Sequence, residues 1–276
     1  MTGFSLSASD ISTFRSVVLG FYERQGRMLP WRNTNDPYEI LVSEFMLQQT
    51  QVPRVLKMYP SFLTRFSTIV DLARALQSEV LAAWQGLGYN RRALYLHRTA
   101  CQIVENHRGI IPDEISILKG FPGIGQATAS AICTFAYGQP TVFLETNIRT
   151  VFIHHFFSEK KTVSDGEIFP LIKETLDKND PRMWYYALMD YGVAIKAAFG
   201  NPGRRSASYV KQSPFRGSDR QLRSSILREI LKEKRISHHQ LAVRFGEEGE
   251  RMERIVTSLV EEGFMGRDER GIFLKA

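Results

Sequence analysis

The segment LVSEFMLQQTQV, residues 41–52, sets a single carboxylate, Glu44, inside an apolar pattern and follows it with two amides, Gln48 and Gln49. With Leu41, Phe45, Leu47 and Val52 facing a core, Glu44 stands either at the rim of that core or in a site; residue type alone does not choose. A second stretch with chemistry in it is FPGIGQATASAI, residues 121–132. Two glycines at i and i+2 allow a sharp bend and close approach by a partner. The amides of Ile124, Gly125 and Ala127 then lie at a helix start, where unpaired N–H groups favour an anion. Such a turn, which includes Gly123, could hold a phosphodiester without reading base sequence. By itself, PGIG equally suits a plain helical hairpin.

These residues need elements to position them, and helical periodicity supplies them from about Ser9 to Phe199. SASDISTFRSVVLGFYERQG reads as an amphipathic helix with Ser9 or Asp10 as cap and Phe14, Val17, Val18 and Phe21 on one face. Further helices are expected around 38–50, 53–65, 68–75, 78–84, 90–106 and 114–118, punctuated by Pro53, Gly86, Gly88 and Pro112. No strand alternation precedes the C-terminal end, so the fold class is all-α. NPGRRSASYVKQSPFRGS then reads as a basic linker. After it come three helices, beginning SDRQLRSSILREILKEKR, SHHQLAVRF and EEGERMERIVTSLVEEG, and two short strands around DERG. That order suggests a winged helix-turn-helix module, with its third helix expected in a DNA major groove; docking or dimerisation is the other use of such a module.

The chain has 276 residues, 43% of them hydrophobic, and a formal net charge of +7. That length supports a well-buried core and more than one domain, and the positive balance invites a polyanion. No apolar run nears the ~18 residues of a spanning helix, and MTGFSLSASD lacks the regions of a signal peptide. The expectation is a soluble protein of the cytoplasm, associated with a bacterial nucleoid, or of another intracellular compartment that holds DNA. Two cysteines, Cys101 and Cys133, suffice for neither a disulfide framework nor a four-thiolate site.

Six segments carry a resemblance: LPWR (29–32), DPYEILVSEFMLQQTQV (36–52), WQGLGYNRRALYLH (84–97), FPGIGQATASAI (121–132), ETNIRTVF (145–152) and ALMDYGVAI (187–195). In order and spacing they resemble the helix-hairpin-helix DNA glycosylases, the superfamily of endonuclease III, and most nearly the A/G-mismatch adenine DNA glycosylases of the MutY type. The resemblance implies catalytic roles for two carboxylates. Glu44 falls where the family protonates the adenine ring and activates water, chemistry akin to glycoside hydrolysis. A carboxyl on an apolar helix face is expected to have a raised pKa, which suits a proton donor. Gln49 and Tyr89 match positions that enter the duplex beside the extruded nucleotide.

Four departures from the family accompany the match. Glu145 replaces an aspartate that stabilises the sugar cation, while Asn147 and Arg149 keep the pattern around it. Ala127 stands where bifunctional members carry a Schiff-base lysine, so strand cleavage should be weak or absent. Lys196 takes the place of the first iron–sulfur ligand and no cysteine follows, so no [4Fe–4S] cluster is expected; Arg204 and Arg205 of that loop are expected to grip phosphate. The Nudix-like domain usual in this type gives way to the winged-helix candidate.

The expected organisation is a two-lobed glycosylase domain over 1–200, with a hairpin-containing lobe at 30–137 and a second lobe of 1–29 with 138–200. A basic linker, 201–218, and the winged module, 219–276, follow. The expected activity is monofunctional hydrolysis of an N-glycosidic bond in mismatched or damaged double-stranded DNA by a monomer. Adenine opposite guanine or 8-oxoguanine is the favoured target. Uracil or thymine excision, or non-catalytic DNA binding on the same scaffold, are the alternatives. No metal, no small-molecule cofactor and no membrane partner are expected, although the hairpin leaves room for a monovalent cation.

Overall fold

The computed structural model describes residues 6–246 and 250–275. They form two compact units. Of the described residues, one unit takes those within Met1–Ile40, Asp113–Gly120 and Ile124–Lys211; the other takes Leu41–Pro112, Phe121–Gly123 and Gln212–Ala276. The chain passes from one to the other inside a helix, between Ile40 and Leu41, and inside the PGIG turn, between Gly123 and Ile124.

The first unit contains α1 (Ala8–Gln25), the start of α2 (Pro37–Leu47), α7 (Ile115–Leu118), α8 (Gln126–Tyr137), α9 (Thr146–Phe156), α10 (Asp165–Thr175) and α11 (Pro181–Phe199). Its core gathers Phe14, Val18, Phe152, Trp184, Tyr185 and Ile195 with their neighbours. The cap of α1 is Ser7, not Ser9 or Asp10. Asp10 sits three residues into the helix and completes a capping box, its carboxylate accepting from the Ser7 N–H while the Ser7 hydroxyl accepts from Asp10 N. Val17, expected on the buried face, is 42% exposed. The LPWR and MDYG segments meet at the buried Asp190 carboxylate. Arg32 grips it with two hydrogen bonds of 2.8 Å, and the Arg27 main chain and side chain add two of 2.7 Å. Burial alone would raise this carboxyl, but the Arg32 and Arg27 hydrogen bonds outweigh that and hold it below the usual aspartate range.

The second unit contains the rest of α2, then α3 (Val52–Arg65), α4 (Ile69–Arg74), α5 (Gln77–Ala83) and α6 (Arg91–His107). It also holds α12 (Asp219–Glu233), β1 (Arg235–Ile236), α13 (His238–Phe245), α14 (Glu250–Glu261), β2 (Met265–Asp268) and β3 (Gly271–Leu274). The expected closing hairpin is β2–β3. Both β1 and β2 pair antiparallel with β3, giving the order β1-β3-β2. Two residues are too few to show alternation, so β1 left no mark in the sequence pattern. The beginning of the third C-terminal helix, at 247–249, lies outside the described residues.

The C-terminal elements dock on α5 and α6 through polar anchors. Glu262 accepts from Arg91 at 2.6 Å and Arg223 at 2.8 Å, its own carbonyl accepts from Arg98 at 3.3 Å, and Gln77 donates to the Gly263 carbonyl at 2.8 Å. Burial opposes the Glu262 charge, yet the hydrogen bonds from Arg91, Ser258 and Arg223 bring this carboxyl down to about 2. The arginines of α14, the helix expected in a DNA groove, pair instead with Asp219: Arg251 at 3.1 Å and Arg254 at 3.4 Å. Arg267 of the wing pairs with Glu253, and Arg235 with Asp268. The module's basic residues are thus largely matched by its own acids.

Candidate active site

Glu44 projects from α2, half-buried between the buried Ser43 and Phe45. Asp36 starts that helix by accepting from Tyr38 N at 2.7 Å, and Val42, Phe45 and Met46 around Glu44 are buried. The helix ends at Leu47, and Gln49 takes a left-handed φ of 54°. Tyr89, between α5 and α6, has a φ of 46° after Gly86 and Gly88 with φ of 97° and 72°. A left-handed non-glycine residue costs roughly 1–2 kcal/mol, and such positions persist where surroundings force them. Both residues expected to enter DNA are of this kind. Gln49 is exposed, and Tyr89 is half-buried.

One residue fastens both turns. The buried Arg92 guanidinium donates to the carbonyls of Phe45 (2.7 Å), Met46 (2.8 Å) and Gln48 (2.6 Å), to the Thr50 hydroxyl (2.8 Å), and to the carbonyl of Gly88 (2.9 Å). No carboxylate takes part in this set; carbonyl dipoles solvate the cation, and burial pulls its pKa down to about 10. Sequence reasoning passed over Arg92. The available signal was an arginine at the head of the buried stripe Leu96, Thr99 and Ile103. Tyr89 has a further hold: its hydroxyl accepts from Arg220 at 2.9 Å and from Gln212, both in the C-terminal part of the chain. Gln48, the unexplained first amide, donates to the Gly123 carbonyl at 3.2 Å.

Within the hairpin turn, the two glycines serve different ends. Gly123 has φ of 78°, and a Cβ there would come within 2.9 Å of Phe45 and 2.8 Å of Tyr95. Gly125 is extended, with φ of −88°, and open space surrounds its Cα. The bend therefore belongs to Gly123 alone, while Gly125 leaves room for an approaching group. Gly125 caps α8 with no side-chain hydrogen bond, Ala127 is exposed in the first turn, and Ile124 is buried.

In the other unit, Glu145 is the N-cap of α9. Its Oε1 accepts from the backbone of Asn147 at 2.8 Å and Ile148 at 2.9 Å, and Oε2 accepts from Asn147 Nδ2 at 3.3 Å. Asn147 Oδ1 in turn accepts from Lys196 Nζ at 2.7 Å. Arg149 forms a two-pronged pair with Asp165 at 2.8 and 2.9 Å. Arg204 and Arg205, expected to grip phosphate, diverge: Arg204 is exposed, whereas Arg205 donates to the carbonyls of Ile153, Phe157, Ser158 and Lys160. That guanidinium therefore closes the C-terminal end of α9, where free carbonyls gather, and is not directed at a phosphate. Beside it the chain makes a parallel bridge, with Val163 N–H donating to the Arg205 carbonyl at 2.9 Å and Ala207 N–H to Val163 at 2.8 Å. Half of the expected linker is therefore folded onto this unit.

The residues do not fit an iron–sulfur cluster. The position expected for its first thiolate holds the Lys196 ammonium, which donates to Asn147, and Arg205 of the following loop is bonded to carbonyls at the end of α9. Cys133 is buried and donates to the Asp113 carbonyl at 3.2 Å, while Cys101 belongs to the other unit. Among the described residues no group of three or more His, Cys, Asp or Glu could hold a metal ion, and no helix is long and apolar enough to cross a membrane.

Comparison with known proteins agrees with this geometry. Residues 42–174 match the model of the HhH-GPD superfamily base excision DNA repair proteins. An adenine DNA glycosylase of Mycobacterium tuberculosis is 46% identical over 135 residues, 49% of this chain and 44% of that protein, so the match spans less than half of the relative's length. One of Mycolicibacterium smegmatis is 30% identical over 280 residues, covering 94% of each. Among solved structures, a thermostable thymine-DNA glycosylase superposes with a TM-score of 0.61 at 24% identity, over 70% of this chain and 90% of that one, which shows a common fold. With the family's motifs in place from α2 to α11 and a relative matched along nearly its whole length, the chain belongs to the HhH-GPD superfamily of base excision DNA repair proteins.

Proposed function

We propose that this protein is a monofunctional adenine DNA glycosylase that flips adenine from a mispair with guanine or 8-oxoguanine and hydrolyses its N-glycosidic bond. One observation carries the reading. Gln49 and Tyr89 are both in left-handed backbone, and the turns that bear them are fastened by the same buried Arg92 that holds the end of the Glu44 helix. Extruding a base costs a few kcal/mol of stacking and pairing, and side chains pre-set to fill the gap lower that cost. Glu44 is the proton donor to the departing adenine and then the base that activates water. Glu145 supplies negative charge to the sugar as it gains oxocarbenium character. The open start of α8, with Gly125 and Ala127, offers amides to a phosphate. Alanine at 127 has no amine to attack the sugar, so strand cleavage by β-elimination is weak or absent. No iron–sulfur cluster takes part.

The test is a single-turnover assay on labelled duplexes containing A:8-oxoG, A:G, U:G, T:G and undamaged pairs. The expected outcome is alkali-dependent cleavage at adenine only. Release of uracil or thymine would replace the substrate. Tight binding, steeply weakened by salt, with no release from any duplex would make the protein a non-catalytic binder.

A further inference from the structure

We infer that Lys196 is a positioning residue for the Glu145–Asn147 pair: its ammonium group orients the Asn147 amide and holds Glu145 by charge. α11 and α9 approach so closely at Gly192 that a Cβ there would lie 2.4 Å from the Asn147 carbonyl oxygen. Lys196 stands four residues on, on the same helix face, and reaches Asn147 Oδ1 at 2.7 Å. A lysine only donates, so this contact fixes which end of the amide is oxygen. The Nδ2 end then has one direction, toward Glu145 Oε2 at 3.3 Å. Burial depresses the Lys196 pKa, Glu145 supports its charge, and Arg149 opposes it. Arg149 is itself engaged by Asp165 through two hydrogen bonds. Two departures from the family pattern, the longer carboxylate at 145 and the lysine at 196, are thus joined through one asparagine. The longer side chain is steadied where a shorter one would need less help.

The effect on rate rests on the glycosylase reading, while the geometry stands within one unit. Single-turnover release from A:8-oxoG would be measured for the full chain and for Lys196→Met, Lys196→Arg, Glu145→Gln and the Glu145→Gln/Lys196→Met pair, alongside duplex affinity. Lys196→Met is expected to slow release about 10- to 100-fold, the scale of a misplaced reacting group, with affinity within about threefold. Lys196→Arg, which keeps charge and donors, should recover to within about fivefold of wild type. The double variant should lose little beyond Glu145→Gln, because the lysine acts through that carboxylate. A Lys196→Met rate equal to wild type, or losses that add in the double variant, overturns the inference. A second readout needs no turnover: by NMR, the Asn147 side-chain amide protons should exchange more slowly in wild type and Lys196→Arg than in Lys196→Met, and equal exchange also overturns it. If wild type releases no base, the glycosylase reading fails by itself and the exchange comparison still decides. Should Lys196→Met not fold, Lys196→Ala, which likewise lacks both donor and charge, takes its place under the same criteria.

Discussion

Glu44 and Glu145 carry the same carboxylate from different places in their helices. Glu44 sits in the body of α2, half-buried between buried neighbours. Glu145 sits before the first turn of α9 and is aimed by what it accepts, two backbone amides and the Asn147 side chain. Glu145 is therefore part of the fold. An electrostatic stabiliser has only to be held in place, and the cap suits Glu145 to the role proposed for it.

The sharpest way to break this contrast is Glu44→Gln. Base release should fall about 10²- to 10⁴-fold, the usual span for loss of a general acid or base; release at the wild-type rate would take the proton-donor role from Glu44. Glu145→Ala should lose rate by about 100-fold and also about 1 kcal/mol of stability as an N-cap. Glu145→Asp, which still caps, should keep the stability. Urea titration beside the rate measurement tests both, and an Ala variant as stable as wild type would remove the capping half of the contrast. Arg92→Met should destabilise the protein by roughly 5 kcal/mol or more, since five acceptors lose their donor at about 1–3 kcal/mol each.

Acid has the smallest effect. In the Glu145 unit, burial and the nearby His154 push the His155 imidazole down to about 4, against about 6.5 unfolded. The folded state binds fewer protons in that window, so this contribution to stability is complete above about pH 6.5 and is lost as pH falls toward 4. In the other unit, Glu262 sits near 2, against about 4.3 unfolded, so its contribution is lost only as pH falls from about 4.3 toward 2. Protection against hydrogen exchange, taken relative to the intrinsic rate, should therefore fall in the first unit between pH 7 and pH 5. Replacing His155 with asparagine should remove most of that loss, and a loss that persists in that variant would assign it to another group.

What the sequence made legible was local. Helices expected at 53–65, 90–106 and 114–118 appear at Val52–Arg65, Arg91–His107 and Ile115–Leu118, because periodicity and turn residues are written within a few positions of one another. The cap of α1 was missed by two residues because Ser7, Ser9 and Asp10 all have capping side chains, and only the capping-box spacing separates them. The site residues came from motif resemblance. What escaped was every long-range polar contact: Arg92 reaching back 44 residues to the Gln48 carbonyl, Lys196 reaching Asn147, and Arg205 reaching four carbonyls near the end of α9. An arginine in a chain looks solvated until the fold reveals which carbonyls it meets. That is why Arg205 was read as a phosphate grip.

The left-handed backbone at Gln49 and Tyr89 has a consequence for how this chain would change under selection. Glycine is at ease in that conformation, so a population screened for heat resistance alone should drift toward glycine at both positions, each substitution relieving strain of about 1 kcal/mol. The side chains lost in that drift are the ones proposed to enter the helix of a substrate. Tolerance of heat and vigilance over a genome therefore pull residues 49 and 89 in opposite directions, and the amino acids found there record which pressure has prevailed.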